Sequence, residues 1–365
     1  MLRTRIAVLI VGLYLLGFLS HAAYVGKTVY SDGMFYFSWL RSVVVDHDIS
    51  FADEYGHYAV KQPLTRSGQP GNKYSVGPAL TWAPAYMWTH MLFRDDGYAL
   101  PYQLAAGLTS VLATLFGLVL LYRLLPYGPE TKSLTIFGIA FATNLFFYGS
   151  LDTVNSHALS FAAATVYLTF LLSPNRRWGL IGAALAMLAM MRLQDIVFAL
   201  LLIPHLRRIH WPIFIAGFLA AFSPQLFAWY AVYGTLANPY LTGGEGFAFP
   251  PHIAGVLFNV QDGLFLWTPI TLLALGGWMF QKRNGPFLAV LGAELLIVAS
   301  WSTWMQGGSY SGRMFVSSLP LLAIGLAQVI ERLRKNMKIV PLLYCLFSLS
   351  FLNGISIVYF LLMRQ

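Results

Sequence analysis

Residues 76–93 read VGPALTWAPAYMWTHMLF, and the threading of the whole chain turns on whether this stretch crosses a bilayer. It has the length, since about 17 to 25 mostly apolar residues span a hydrocarbon core of about 30 Å. If it crosses, every basic cluster after Arg3 and Arg5 moves to the opposite side of the membrane. If it does not, Arg123 and Lys132, Arg176 and Arg177, Arg207 and Arg208, Lys282 and Arg283, and Arg332, Arg334, Lys335 and Lys338 all join Arg3 and Arg5 on one side. That second arrangement obeys the positive-inside rule and the first breaks it repeatedly. Residues 76–93 are therefore read as a re-entrant or interfacial helix on the outer face.

Working outward, apolar runs recur at 5–24, 103–122, 133–150, 156–173, 178–192, 194–205, 212–232, 264–281, 286–304, 314–330 and 339–361. The chain of 365 residues is 58% hydrophobic and only 10% charged, against roughly a quarter charged in soluble domains. The fold class expected is all-α: a polytopic transmembrane bundle of about 10–12 helices, with residues 1–365 forming a single integral membrane domain. The first run is read as a retained helix, because polar chain follows it with no clear cleavage site. A lone cysteine, Cys345, excludes an internal disulfide. The net charge of +9 is dispersed over short loops between spans, which suits anionic lipid headgroups and excludes a nucleic-acid-binding surface.

The same threading puts most acids outside: Asp32, Asp46, Asp48, Asp53, Glu54, Asp95, Asp96, Asp152, Asp195, Glu245 and Asp262. Acidic residues carry little weight in topology rules, so this sorting is independent information. Two outer segments, about 25–102 and 233–263, are too long to be simple connectors. In the first, residues 34–45 have helical spacing, with Phe35, Tyr36, Trp39 and Leu40 suited to the membrane interface.

Asp32 stands just beyond the first span, where a carboxylate stays ionised yet reaches a substrate presented from the bilayer; alternatively it caps the helix that follows. The run Asp46, His47, Asp48 either holds a divalent cation or forms a solvated turn. Lys73, beside Gly71 and Ser75, either binds phosphate oxygens or snorkels from the interface. Arg192 lies between two spans with almost no loop, so its charge needs either a partner, with Asp195 nearby, or a substrate. Asp152 and His157 follow the 133–150 span at the outer face. Residues 301–313 combine Trp304, Tyr310, three glycines and Arg313, whose planar fork matches a phosphate. Glu294, alone in an apolar run, must be protonated or paired.

In order and shared sidedness these positions resemble the GT-C superfamily of membrane glycosyltransferases, which includes the protein O-mannosyltransferases and the lipid A aminoarabinose transferases. The matches are Asp32 in the first outer loop, Lys73 to Pro78, Asp152, the Met191-Arg192-Leu193-Gln194 element, Tyr233 to Tyr240, Gly263 to Pro269 and Trp304 to Arg313. The resemblance implies Asp32 as catalytic base, Arg313, Lys73 and Arg192 at the donor phosphate, and Asp152, His157, Trp304, Tyr310 and Tyr36 around sugar or acceptor. It implies transfer of one sugar, with inversion, from a polyprenyl-phosphate donor to a glycan, lipid or protein hydroxyl, at the outer face of a bacterial or archaeal plasma membrane. No cofactor is required by it, and metal dependence rests on the Asp46-x-Asp48 alternative alone. Two features depart from the family: Gly33 stands where many members carry a second acid, and the final span is not followed here by a soluble domain. The rival class is a transporter or flippase of a lipid-linked sugar, which should show paired inverted halves. The sequence has no such symmetry.

Overall fold

The computed structural model describes residues 2–242, 245–279, 284–336 and 339–363; Lys282, Arg283, Lys338 and the side chain of Arg3 lie outside the described residues. It is an all-α bundle with no strand among the described residues, only isolated bridges at Leu64 with Pro70 and Phe247 with Trp301.

Among the described residues, five helices of 22 to 25 residues are long and apolar enough to cross a membrane. They are α1 (Leu2–Val25), α5 (Leu100–Leu124), α9 (Trp211–Tyr233), α15 (Leu319–Asn336) with the 3-10 turn Arg313–Ser318 that leads into it, and α16 (Ile339–Met363). At about 1.5 Å per residue each exceeds a hydrocarbon core of about 30 Å. Helices α1 and α16 are peripheral, with Val8, Leu16, Leu19, Phe347 and Phe351 exposed where lipid would cover them. Helix α15 is central, with Leu321, Ala323 and Ala327 wholly buried. Shorter helices α6 (Pro129–Phe141), α7 (His157–Leu171), α8 (Trp178–Met191) and α14 (Gly285–Ser300) fill the bundle. Small residues set the closest approaches: a Cβ on Gly182 would lie 2.1 Å from the Phe214 carbonyl oxygen, so only glycine lets α8 touch α9 there.

Several expected spans are interrupted instead of continuous. The 133–150 run is α6 followed by a π-helical turn, Phe147–Leu151. Residues Leu193–Arg208 form a 3-10 helix, and the 264–281 run divides into α12 (Leu264–Trp267) and α13 (Ile270–Trp278) around Pro269. A break inside a bundle is tolerated only when the freed backbone groups find partners. Asn353 of α16 supplies them for the first break, its Nδ2 donating to the carbonyls of Phe141 at 2.8 Å and Thr143 at 3.0 Å.

The first outer segment carries α2 (Gly33–Arg41), a π-helical turn Ser42–Asp46, α3 (Ala52–His57) and α4 (Gly77–Phe93). Tyr36, Trp39 and Leu40 were expected in the membrane interface, but they are buried, because α2 packs on α4. Helix α4 is one continuous helix of 17 residues over the 76–93 stretch. Its first residue, Gly77, abuts Met190 near the end of α8, and beyond its last turn the Asp95 amide donates to the Tyr102 hydroxyl at the start of α5. Both neighbours lie at helix ends predicted to face outward. Trp82 and Tyr86 are buried while Met87, Trp88, Met91, Leu92 and Phe93 are exposed, leaving an apolar surface toward the end of the helix. The second outer segment carries α10 (Pro239–Thr242) and α11 (Ile253–Phe258).

Candidate active site

Asp32 sits one residue before α2, and its carboxylate makes no capping hydrogen bond to that helix. One oxygen, Oδ2, lies 2.9 Å from Arg313 Nη1, and the other, Oδ1, accepts a 2.9 Å hydrogen bond from the Tyr74 hydroxyl. The capping alternative therefore lacks its bond, and the carboxylate is aimed across the fold at two other segments. Left-handed residues precede both partners, Ser31 at φ 51° and Ser311 at φ 52°. Strained backbone of this kind, costing roughly 1–3 kcal/mol per residue, concentrates where a side chain must be aimed.

Two glycines let these segments meet. A Cβ on Gly33 would fall 2.3 Å from the Val154 carbonyl oxygen, so the start of α2 docks directly on the loop that carries Asp152. A side chain at position 33 would therefore clash with that loop. A Cβ on Gly77 would fall 2.4 Å from the Met190 carbonyl oxygen, which brings the segment after Lys73 against the end of α8, two residues from Arg192.

A cavity of about 720 Å³ adjoins Asp32 through Tyr74, whose ring lines it while its hydroxyl reaches the carboxylate. Phe35, Arg66, Lys73, Tyr233, Tyr240 and Glu245 also line it, and its volume lies in the usual range for a small-molecule site. Tyr74 is stacked on Phe35 with ring centres 4.7 Å apart. Burial, and next the Asp32 charge, push the Tyr74 phenol well up, so it remains a hydrogen-bond donor. Lys73 forms an ion pair with Glu245 and lies 5.2 Å from the centre of the Tyr240 ring. Trp301 also donates to Glu245, at 3.4 Å. The cation and the anion thus tie the first outer segment to the second across the cavity.

Arg192 is not paired with Asp195. Its Nη1 donates to His157 Nδ1 at 2.5 Å and its Nη2 to Gln194 Oε1 at 3.3 Å, while Nε is buried without a partner. Asp195 instead accepts from Ser317 at 2.9 Å, and Glu294 is paired with groups on other elements, accepting from Ser317, Ser318 and Gln194. Burial pushes the Asp152 carboxyl up to about 6, against the pull of Asn155 and Arg313. Asp32 adds to the rise by like-charge repulsion, which places the two acids in one electrostatic site.

No family model and no curated protein matches the chain. Among solved structures it is similar to ArnT from Cupriavidus metallidurans in the apo state, with a TM-score of 0.60 and 12% sequence identity. The likeness covers 90% of this chain and 59% of that one, so the chain spans about three fifths of the length of that neighbour. The chain shares the fold of that neighbour. An integral membrane protein with multiple apolar helices is what that likeness and the described spans establish together.

Within this fold the remaining expected residues divide. Tyr36 lies beside the site: its hydroxyl donates to Ser156 at 3.0 Å and its ring meets Tyr74 edge-on at 5.1 Å. Tyr310 does not reach the cavity. It is fully buried, its hydroxyl donates to Asn353 Oδ1 at 2.7 Å, and its ring stacks on Phe147, because the turn that presents Arg313 points the tyrosine into the bundle. Trp304 stacks on His252 and packs over Gly255 of α11, away from the Asp32 pair. Asp46 and Glu54 both pair with Arg41, and Asp48 accepts from Ser42 at 2.8 Å and from the Ser50 amide at 3.0 Å. Among the described residues, no three His, Cys, Asp or Glu side chains come together to hold a metal ion. Tyr74 and Glu245 are the site residues that sequence reasoning passed over. The Gly-Asn-Lys-Tyr-Ser context had singled out only the lysine, and nothing local marks a tyrosine or a loop glutamate as facing a carboxylate or lysine far along the chain.

Proposed function

We propose that this chain is a membrane glycosyltransferase. It moves a single sugar from a polyprenyl-phosphate donor to a hydroxyl of a glycan, lipid or protein acceptor, with inversion at the anomeric carbon, on the extracytoplasmic side of a bacterial or archaeal plasma membrane. The observation that carries the reading is the Asp32 carboxylate shared between Arg313 and Tyr74 beside the cavity, in a GT-C-like fold.

In the reaction the acceptor oxygen bonds to the sugar's anomeric carbon, its proton passes to Asp32, and the bond from that carbon to the phosphate oxygen breaks with its electron pair. A positioned carboxylate contributes about 10²–10⁴-fold as general base. The departing phosphate gains negative charge, and preorganised cations stabilise it as it forms. Lys73, Arg192 and Arg313 are the cations at hand, and Asp32, Glu245 and Asp152 offset them. Arriving phosphate competes with Asp32 for Arg313 and with Glu245 for Lys73. Binding the donor thereby releases the base from its ion pair with Arg313.

The test is the purified chain in detergent with a panel of polyprenyl-phosphate sugars and hydroxyl acceptors. Product with inverted anomeric configuration and stoichiometric free polyprenyl phosphate is expected. Donor that crosses a proteoliposome membrane unconsumed, with no transfer in detergent, would establish the transporter reading instead.

A further inference from the structure

At the opposite end of the bundle a second groove opens between α1, α5 and α6. Ile10, Val11, Leu115 and Val119 line its length, and Tyr122 and Arg123 stand at one end. Its volume is about 220 Å³ and its outer edge, including Val11 and Val119, is exposed where lipid would lie. So narrow and apolar a channel admits a hydrocarbon chain and excludes a polar headgroup.

Among the described residues the charge at its mouth has no ion-pair partner. Lys132 Nζ lies 5.3 Å from the centre of the Tyr122 ring, which places a second cation against the residue that lines the same end of the groove as Arg123. The acids nearby in sequence and space are taken elsewhere: Glu130 pairs with Arg334, and Glu331 with Arg334 and Lys335. Among the described residues neither Arg123 nor Lys132 forms an ion pair. An apolar channel leading to two unpaired cations is complementary to a molecule with a hydrocarbon tail and an anionic head.

We infer that this groove is a binding site for an anionic phospholipid, with an acyl chain between α1 and α5 and the phosphate against Arg123 and Lys132. The basic loops predicted to face the cytoplasm put the site in the inner leaflet, separate from the Asp32 cavity. Basic side chains near a membrane surface each contribute a modest attraction, so two of them should favour an anionic over a zwitterionic lipid by roughly tenfold or more.

Native mass spectrometry of the full chain in detergent, titrated with phosphatidylglycerol or with phosphatidylcholine of the same acyl length, tests it. The wild-type chain should retain phosphatidylglycerol roughly tenfold better. Arg123→Gln with Lys132→Gln should abolish that preference, and Val119→Trp, which fills the channel and leaves both charges, should remove the retained lipid. Arg123 and Val119 are exposed, so the packed core is left alone. An undiminished preference in the double variant, or retention in the tryptophan variant, would overturn the site. Displacement of the lipid by millimolar inorganic phosphate would do so too, by making the ligand a phosphate without a tail.

Discussion

Arg313 Nη1 lies 2.9 Å from Asp32 Oδ2, so the loop before the penultimate helix supplies the counter-charge for the carboxylate that opens the first outer segment. In the proposed reaction neither group keeps this arrangement: the carboxylate would face a hydroxyl and the guanidinium a phosphate.

The planar fork of Arg313 decides the first prediction. Lysine keeps the charge at 313 but not the paired parallel donors. Arg313→Lys should weaken donor binding by roughly 10- to 100-fold, the scale of one or two charge-assisted hydrogen bonds, with the melting temperature close to wild type. Donor KM and direct donor binding measure this. Unchanged affinity would leave Arg313 as the anchor of Asp32 alone.

Tyr310 comes from the same loop and should behave differently. Its hydroxyl is buried and donates to Asn353, so Tyr310→Phe leaves an amide oxygen underused and should cost about 1–2 kcal/mol of stability. Donor and acceptor KM should stay put. A selective rise in either would return the tyrosine to the sugar site.

These two residues illustrate what the sequence could and could not reveal. Hydropathy is a local sum, so the all-α membrane fold was legible. Asp32, Lys73 and Arg313 were legible because a charged residue at a helix end near an apolar segment carries its own signal. Their pairing was not, because Arg313 with Asp32, Tyr74 with Asp32 and Lys73 with Glu245 join segments far apart in sequence. Tyr310 and Trp304 look from composition like sugar-stacking rings. Only the direction of the backbone turn sends one into the bundle and the other onto His252. The helix breaks were equally hidden, since the groups that satisfy them, such as Asn353, lie on another helix.

The first outer segment holds a pH-sensitive joint at the far end of the helix that follows Asp32. Burial lifts the Glu54 carboxyl from the usual 4.5 to about 7, by more than its hydrogen bond from Arg41 lowers it. The folded chain therefore holds this proton more tightly than the unfolded chain does. The resulting stabilisation is complete below pH 4.5 and is lost as pH rises through about 7. Glu54→Gln removes the titration. Thermal melts of both proteins between pH 4.5 and 8 should show the wild-type midpoint falling by a few degrees relative to the variant as pH rises. A relative gain with rising pH would mean that Arg41 outweighs burial.

The placement of α4 is open to a direct labelling test. If it lies along the outer face, cysteines at 73 and 94, each introduced into a Cys345→Ala background, should both react with an impermeant thiol reagent added from outside. Both ends of α4 meet helix ends predicted to face outward, which motivates the expectation. Reaction at only one of the two would make 76–93 a true span and invert every later loop.

The sharpest prediction concerns Asp32. An asparagine there is nearly isosteric, retains an oxygen that can accept from Tyr74, and keeps most of the ability to start a helix. It gives up only the negative charge and the capacity to take a proton. If the carboxylate served only to hold Arg313, Asp32→Asn would free the guanidinium, strengthen donor binding and leave the chemical step largely intact. If it is the base, turnover should fall by about 10²-fold or more while donor binds at least as tightly as to wild type, because phosphate no longer competes with Asp32 for Arg313. Single-turnover transfer and equilibrium donor binding, measured on the same preparation, separate the two. Tighter binding with wild-type turnover would reduce Asp32 to a counter-ion, and the proton would have to leave through another group, of which Asp152, with its carboxyl at about 6, is the next to replace.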